Sequence, residues 1–79
     1  MQRNIDVMRT GIQLKRLISG AGYTVAEVRD YLGLMYPQVI YRWYKGKTLP
    51  DIEHFLGLGK LLNRHIDELI VLKEVSKEA

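Results

Sequence analysis

The chain of 79 residues is 47% hydrophobic and 27% charged, which is typical of a globular protein, and its length predicts one small domain over residues 1–79. It contains no cysteine, which excludes a disulfide scaffold, a thiolate zinc site and a cysteine nucleophile. The longest apolar run, residues 69–72, is far shorter than the about 20 residues that cross a bilayer. The N-terminus has no apolar signal region. We therefore expect a cytoplasmic protein without a membrane partner.

The formal net charge of +3 is unevenly distributed along the chain. Residues 1–22 hold four bases and one acid, and residues 36–49 hold three bases and no acid. Residues 50–79 hold four bases and six acids. A fold that brings the two basic segments together would have one basic face, which favours a polyanionic partner such as nucleic acid.

Five short helices, separated by glycine and proline, are predicted in chain order. The first carries apolar residues at helical spacing, namely Leu14, Leu17 and Ile18. A capping-box pattern favours a start at Thr10, although Ile5 and Met8 would extend the same stripe upstream. The glycines at positions 20 and 22 end this helix.

The second and third helices are the shortest. Thr24 is the expected N-cap of the second, and Gly33 ends it. The third is predicted to begin at Pro37, whose fixed φ suits a first helical position, and to end before Gly46. Its apolar stripe consists of Tyr36, Ile40 and Trp43.

Two further helices are predicted after the loop 47–50. Asp51 is the expected N-cap of the fourth, which carries Ile52, Phe55, Leu58, Leu61 and Leu62. The glycines at 57 and 59 lie within it, and we expect them to permit close packing. The fifth carries Ile66, Leu69 and Ile70, with acidic residues in its first turn. The predicted fold is therefore all-α.

Residues 24–45 have the lengths of a helix-turn-helix, in which the second helix can lie in the major groove of DNA. If Ile40 and Trp43 face inward, the residues that face outward are Gln38, Tyr41, Arg42 and Lys45. Gln pairs with adenine and Arg grips guanine by two hydrogen bonds, whereas Tyr contacts a thymine methyl or a phosphate. Lys45, Lys47 and Thr48 are expected to contact phosphates.

Other interpretations of these residues stay open. Trp43 could be a base-stacking platform, but its helical spacing favours the core. Arg42, Lys45 and Lys47 could form an ordinary solvated helix end, because cations are favourable at helix C-termini.

Three segments of the sequence resemble the Cro and phage-repressor type of helix-turn-helix domain, also called the xenobiotic-response-element family. They are Tyr31-Leu32-Gly33-Leu34, the stretch Ile40-Tyr41-Arg42-Trp43-Tyr44-Lys45-Gly46-Lys47 with Leu49-Pro50, and Ile66-Asp67-Glu68-Leu69. The stretch that begins Pro37-Gln38-Val39 is similar to a branch frequent in Firmicutes. The resemblance covers about residues 11–70 and leaves 71–79 as a C-terminal tail.

This resemblance implies a compact five-helix DNA-binding domain and a transcriptional regulator that usually acts as a dimer. The family's base-reading positions fall on Pro37, Gln38 and Arg42. Because Pro37 has no hydrogen-bond donor, it can only make an apolar contact or initiate the helix. Thr24, at the start of the second helix, is also expected to contact a phosphate. Many members of the family have a phosphate-contacting amide at the next position, where this chain has Val25. The chain also departs from the family in having Arg29 in place of a small residue, and one extra residue in the turn.

The tail is more apolar than the end of a monomer requires. Its apolar residues Val71, Leu72 and Val75 continue from Ile70, directly before it. They either extend the last helix onto the core or form a two-fold dimer seam, and a homodimer is expected.

No enzyme is predicted, because no Ser-His-Asp set or carboxylate pair shares a pocket. His54 and His65 lie on different elements without a third ligand, so no metal, cofactor or small-molecule ligand is expected. The function predicted is a sequence-specific DNA-binding transcriptional regulator of repressor type, which reads double-stranded DNA with helix 37–45. The alternative is a protein-interaction module with the same fold, such as an antitoxin-like or assembly partner.

Overall fold

A computed structural model describes residues 4–74 of the chain. Four α-helices follow one another in this part: α1 (Val7–Gly20), α2 (Val25–Leu32), α3 (Gln38–Tyr44) and α4 (Ile52–Leu62). A single 3₁₀ turn, Ile66–Glu68, comes after α4, and no strand longer than an isolated bridge occurs between residues 4 and 74. The all-α class is confirmed, whereas the predicted fifth helix is wrong.

Side-chain caps determine where three of the helices begin. Asp6 caps α1 by accepting the Arg9 N–H at 2.9 Å, so the helix begins three residues before the predicted Thr10. Thr24 caps α2 in a capping box with Glu27, as the sequence indicates. Asp51 caps α4 by accepting the His54 N–H at 3.0 Å.

One apolar core joins the four helices and the 3₁₀ turn. Its buried members are Leu14, Ile18, Val28, Ile40, Trp43, Phe55, Leu58 and Leu69. At Gly11 the backbone of α1 crosses the end of α3 so closely that an added Cβ would lie 2.1 Å from the Trp43 carbonyl oxygen. A Cβ on Gly57 would lie 2.7 Å from Cδ2 of Leu32 on α2, which confirms the close helix packing expected at this glycine. A Cβ on Gly59 would instead lie 2.8 Å from the carbonyl oxygen of Arg64, just after α4.

The chain after Leu69 runs back to the start of α1. Ile5 and Leu72 form an antiparallel bridge, in which the Asp6 N–H donates to the Val71 carbonyl at 2.8 Å. The buried Thr10 hydroxyl completes the contact, because Oγ1 accepts the Val71 N–H at 3.0 Å and donates to its carbonyl at 3.3 Å. These bonds engage the backbone of the tail, and they explain why residues 70–73 do not continue a helix.

Candidate nucleic-acid interface

The turn between α2 and α3 sets the angle at which α3 is presented. Gly33 ends α2 in the left-handed region with φ 72°, and the Leu34 N–H donates to the Arg29 carbonyl at 3.0 Å. Beyond the turn, Ile40 and Trp43 of α3 are fully buried. The inward stripe predicted for this helix is therefore confirmed at these two positions.

Tyr36, the third predicted member of that stripe, does not belong to it. Its side chain is 60% exposed and precedes α3, and Met35 beside it is 75% exposed. In the linker between Gly33 and α3, Leu34 is the residue that packs against the core. The longer turn noted in the sequence thus carries two exposed apolar side chains.

The predicted base-contacting residues share the outer side of α3. Gln38, Tyr41 and Arg42 are exposed and follow one another at helical spacing, which places them on one face. Pro37 is half-buried at the N-cap position, where its N lacks a hydrogen to donate. Three of the four residues are therefore accessible side chains on a helix whose opposite side is buried in the core.

The predicted phosphate-contacting residues lie at both ends of the helix pair. Lys45, Lys47 and Thr48 are exposed at the C-terminal end of α3, where Gly46 has φ 72° and the Lys47 N–H donates to the Arg42 carbonyl at 2.9 Å. Thr24 is exposed at the start of α2. Thr24 and Lys45 line one surface depression, whereas Lys47 and Thr48 lie outside its lining.

The cations of this surface have no carboxylate partners between residues 4 and 74. The ion pairs of that range join Arg9 to Asp6, Arg29 to Asp30, Arg64 to Glu68, and His54 to Asp51 if the imidazole is protonated. Arg42, Lys45 and Lys47 are in none of these pairs. Their positive charge is therefore available to an anionic ligand.

Sequence reasoning missed part of the depression that Thr24 and Lys45 line. Its other lining residues are Lys15, Ser19, Tyr23, Val25, Tyr41 and Tyr44. Lys15 and Ser19 are spaced four residues apart on the first predicted helix, and this spacing could have indicated one exposed face. Nothing in the sequence indicates that this face meets α3.

Tyr44 is one of the half-buried residues that line the depression. Its ring meets that of Tyr41 edge to face, with centroids 6.3 Å apart and planes at 90°. Burial, and secondarily the neighbouring Tyr41, raises the pKa of the Tyr44 hydroxyl to about 12. The hydroxyl is therefore a neutral hydrogen-bond donor at physiological pH.

Across residues 4–74, no three His, Asp or Glu side chains cluster in a way that could hold a metal ion. Within the same range, no helix is both long enough and apolar enough to cross a membrane.

The fold matches solved structures, although no family model and no curated protein matches the sequence. The restriction-modification controller protein C.AhdI from Aeromonas hydrophila, in its crystal structure, superposes with a TM-score of 0.72 at 20% identity, over 81% of this chain and 96% of that one. The SOS-response transcriptional repressor LexA from Eubacterium rectale, in its solution structure, superposes with a TM-score of 0.73 at 22% identity, over 95% of this chain and 81% of that one.

At these identities the likeness is one of fold; one of the two structures is named a controller protein and the other a transcriptional repressor. The resemblance noted in the sequence is thereby confirmed for the fold, with four helices in the described part instead of five.

Proposed function

We propose that this chain is a sequence-specific DNA-binding transcriptional regulator of repressor type that reads the major groove with α3. The observation that carries the proposal is the two-sided character of α3. Its inner side is fixed by Ile40 and Trp43, and its outer side presents Gln38 and Arg42, whose side chains suit adenine and guanine. A rigidly held helix with an accessible polar face is what base recognition in the major groove requires.

The surrounding cations supply the sequence-independent part of binding. Lys45, Lys47 and Thr48 follow the reading face, and Thr24 lies at the start of α2, so phosphate contacts would flank the base contacts. The names of the two similar structures, a controller protein and a transcriptional repressor, agree with this role. A regulator that reads DNA in this way would act by occupying its site.

We further propose that the chain acts as a homodimer through its C-terminal tail. Leu72 is 60% exposed beside Ile5, although its backbone is held by the bridge to the N-terminal segment. Ile70 and Val71 are half-buried, and Val75, the fourth predicted seam residue, lies outside the described residues. A two-fold contact through this exposed leucine would require a palindromic DNA site.

A selection from a randomised duplex library tests both proposals. The proposed function predicts enrichment of one motif, and the homodimer predicts that this motif is palindromic, with half-sites about one helical turn apart. Leu72→Asp should leave the half-site preference intact while abolishing the enrichment of paired half-sites. A library that shows no enrichment would contradict the DNA-reading role.

One observation favours the alternative, a protein-interaction module. Met35 and Tyr36 expose apolar surface on the turn between α2 and α3, and exposed apolar patches often mark protein contacts. If this is their role, Tyr36→Ser should release a protein partner while DNA binding by the purified chain stays weak and without sequence preference.

A further inference from the structure

The depression between α1, α2 and α3 has a composition that points to a ligand. It has a volume of about 300 Å³ and is lined by two lysines, Lys15 and Lys45, and by no acidic residue. Five of its lining residues carry hydroxyl groups, namely Ser19, Tyr23, Thr24, Tyr41 and Tyr44. Two cations surrounded by neutral hydrogen-bond donors suit an anion with several oxygen atoms.

The lysines reach the depression from two different helices. Lys15 is on α1 and Lys45 follows α3, and both are exposed. Neither forms an ion pair with a carboxylate of residues 4–74. The carboxylate of Glu27 lies outside the lining and accepts the Thr24 N–H at 2.9 Å in the capping box. Two like charges therefore line one small site that has no carboxylate in its lining.

The contact between α1 and α3 keeps this arrangement in place. Gly11 lets α1 approach the Trp43 carbonyl; Lys15 follows one turn later on α1, and Lys45 is the C-cap residue of α3. The Tyr44 ring is half-buried and meets the Tyr41 ring edge to face, so both rings are held on the same side of α3. The site is thus built on helices whose backbones are fixed by the core.

We propose that this depression is a phosphate-binding notch that receives a phosphodiester of the DNA backbone, held by Lys15 and Lys45 and by hydrogen bonds from hydroxyls of its lining. This inference rests on the proposed function, and it extends the DNA contact from the helix-turn-helix onto α1. The notch shares Tyr41 with the reading face of α3, so a duplex in contact with Arg42 would pass directly beside it. A phosphate there would fix how deeply α3 enters the groove.

The salt dependence of DNA binding tests the notch. For the wild-type chain and Lys15→Gln, affinity for duplex DNA is measured by fluorescence anisotropy over a salt series. Loss of one phosphate contact should reduce the slope of log affinity against log salt concentration by about 0.9. It should weaken binding to the preferred and to random duplexes by the same factor, because a phosphate contact carries no sequence information.

Lys60→Gln is the matched control, because Lys60 is an exposed helical lysine on α4 and lies outside the notch. It should leave the slope at the wild-type value, and equal slopes for Lys15→Gln and Lys60→Gln would overturn the notch. Tyr44→Phe removes one hydroxyl without changing charge, so it should lower affinity while leaving the slope unchanged. A Tyr44→Phe variant with wild-type affinity would remove Tyr44 from the set of donors.

A second arm distinguishes a DNA phosphate from a free one. Inorganic phosphate is titrated into the wild-type chain while the amide resonances of Ser19 and Lys45 are followed by NMR. One outcome would be saturable chemical-shift changes at low millimolar phosphate, together with a salt slope of DNA binding that is the same for Lys15→Gln and wild type. This outcome would assign the notch to a free anion and overturn the DNA proposal. If the wild-type chain shows no sequence preference but Lys15→Gln still reduces the slope, the proposed function fails and the notch stands.

Discussion

Arg42 is the residue on which base recognition most depends in the proposed complex. It is exposed on the outer side of α3, one position before the buried Trp43. Arg42→Ala should weaken binding to the preferred site by about 1–3 kcal/mol and relax the preference at one or two base pairs, because a bidentate contact to guanine is lost. Anisotropy against the preferred site and its single-base variants measures both effects.

Arg64→Ala provides the control for this loss. Arg64 is also exposed, but its guanidinium lies 3.8 Å from the Glu68 carboxylate beyond α4. This substitution should leave the base preference unchanged. Equal behaviour of the two variants would contradict the assignment of α3 as the reading helix.

Tyr44 should be identifiable by its titration. Burial raises its pKa to about 12, so it should ionise after a tyrosine of ordinary pKa. Because the folded pKa is above the unfolded value of about 10, the unfolded chain releases its proton first, and the free energy of unfolding should fall between about pH 10 and 12. Tyr44→Phe should lose this fall, as measured by urea unfolding at several pH values. An identical pH dependence in both proteins would contradict the burial of Tyr44.

At the scale of the helices, the crossing of α1 and α3 has almost no steric tolerance. Gly11→Ala would place a methyl group 2.1 Å from the Trp43 carbonyl oxygen, so the helices would have to separate. We expect a loss of several kcal/mol in unfolding free energy, since backbone cannot move aside cheaply. Gly20→Ala, on the same helix, meets nothing within 4 Å and should change stability by less than about 1 kcal/mol. Urea unfolding of the two variants compares them, and similar losses would contradict the close crossing.

The contact between the terminal segments depends on one buried hydroxyl. Thr10→Val keeps the shape of the side chain but leaves the Val71 N–H without its acceptor, at a cost of about 1–3 kcal/mol in unfolding free energy. Thr10→Ser should retain the bond and most of the stability. Hydrogen exchange of the Val71 amide should become faster in Thr10→Val, and unchanged exchange would show that the hydroxyl does not hold the tail.

Local signals were sufficient to predict α2, α3 and α4. Thr24 and Asp51 cap their helices as the sequence indicates, and Ile40 and Trp43 determine which side of α3 is buried. The last helix could not be predicted correctly, because the backbone of residues 71–73 is engaged by residues 4–6 at the other end of the chain. The start of α1 was missed for a local reason, since Asp6 caps it ahead of Thr10.

The same distinction between local and long-range effects applies to the site. The exposed face of α3 follows from helical spacing, and Gln38, Tyr41 and Arg42 lie on it as predicted. The approach of Lys15 to Lys45 depends on how α1 crosses α3, which no local pattern specifies.

For the molecule as a whole, the fold brings together positive charges that lie far apart in the sequence. Lys15 from the first basic segment and Lys45 from the second line the same depression, as expected if the two segments contribute to one basic face. No residue between 50 and 74, in the acidic C-terminal segment, lines that depression. A duplex approaching α3 would therefore meet cations from α1 and α3 together.

The proposed function depends on one property, namely that the exposed face of α3 and the lysines beside it recognise a DNA sequence. The most direct test is fluorescence anisotropy of the wild-type chain with the duplex upstream of its own coding sequence and with random duplex, across a salt series. We expect salt-sensitive binding to both and a preference of at least about 10³ for a site in the upstream duplex. Weak binding to both duplexes, equal in affinity and in salt slope, would reduce the interaction to charge attraction and contradict the claim.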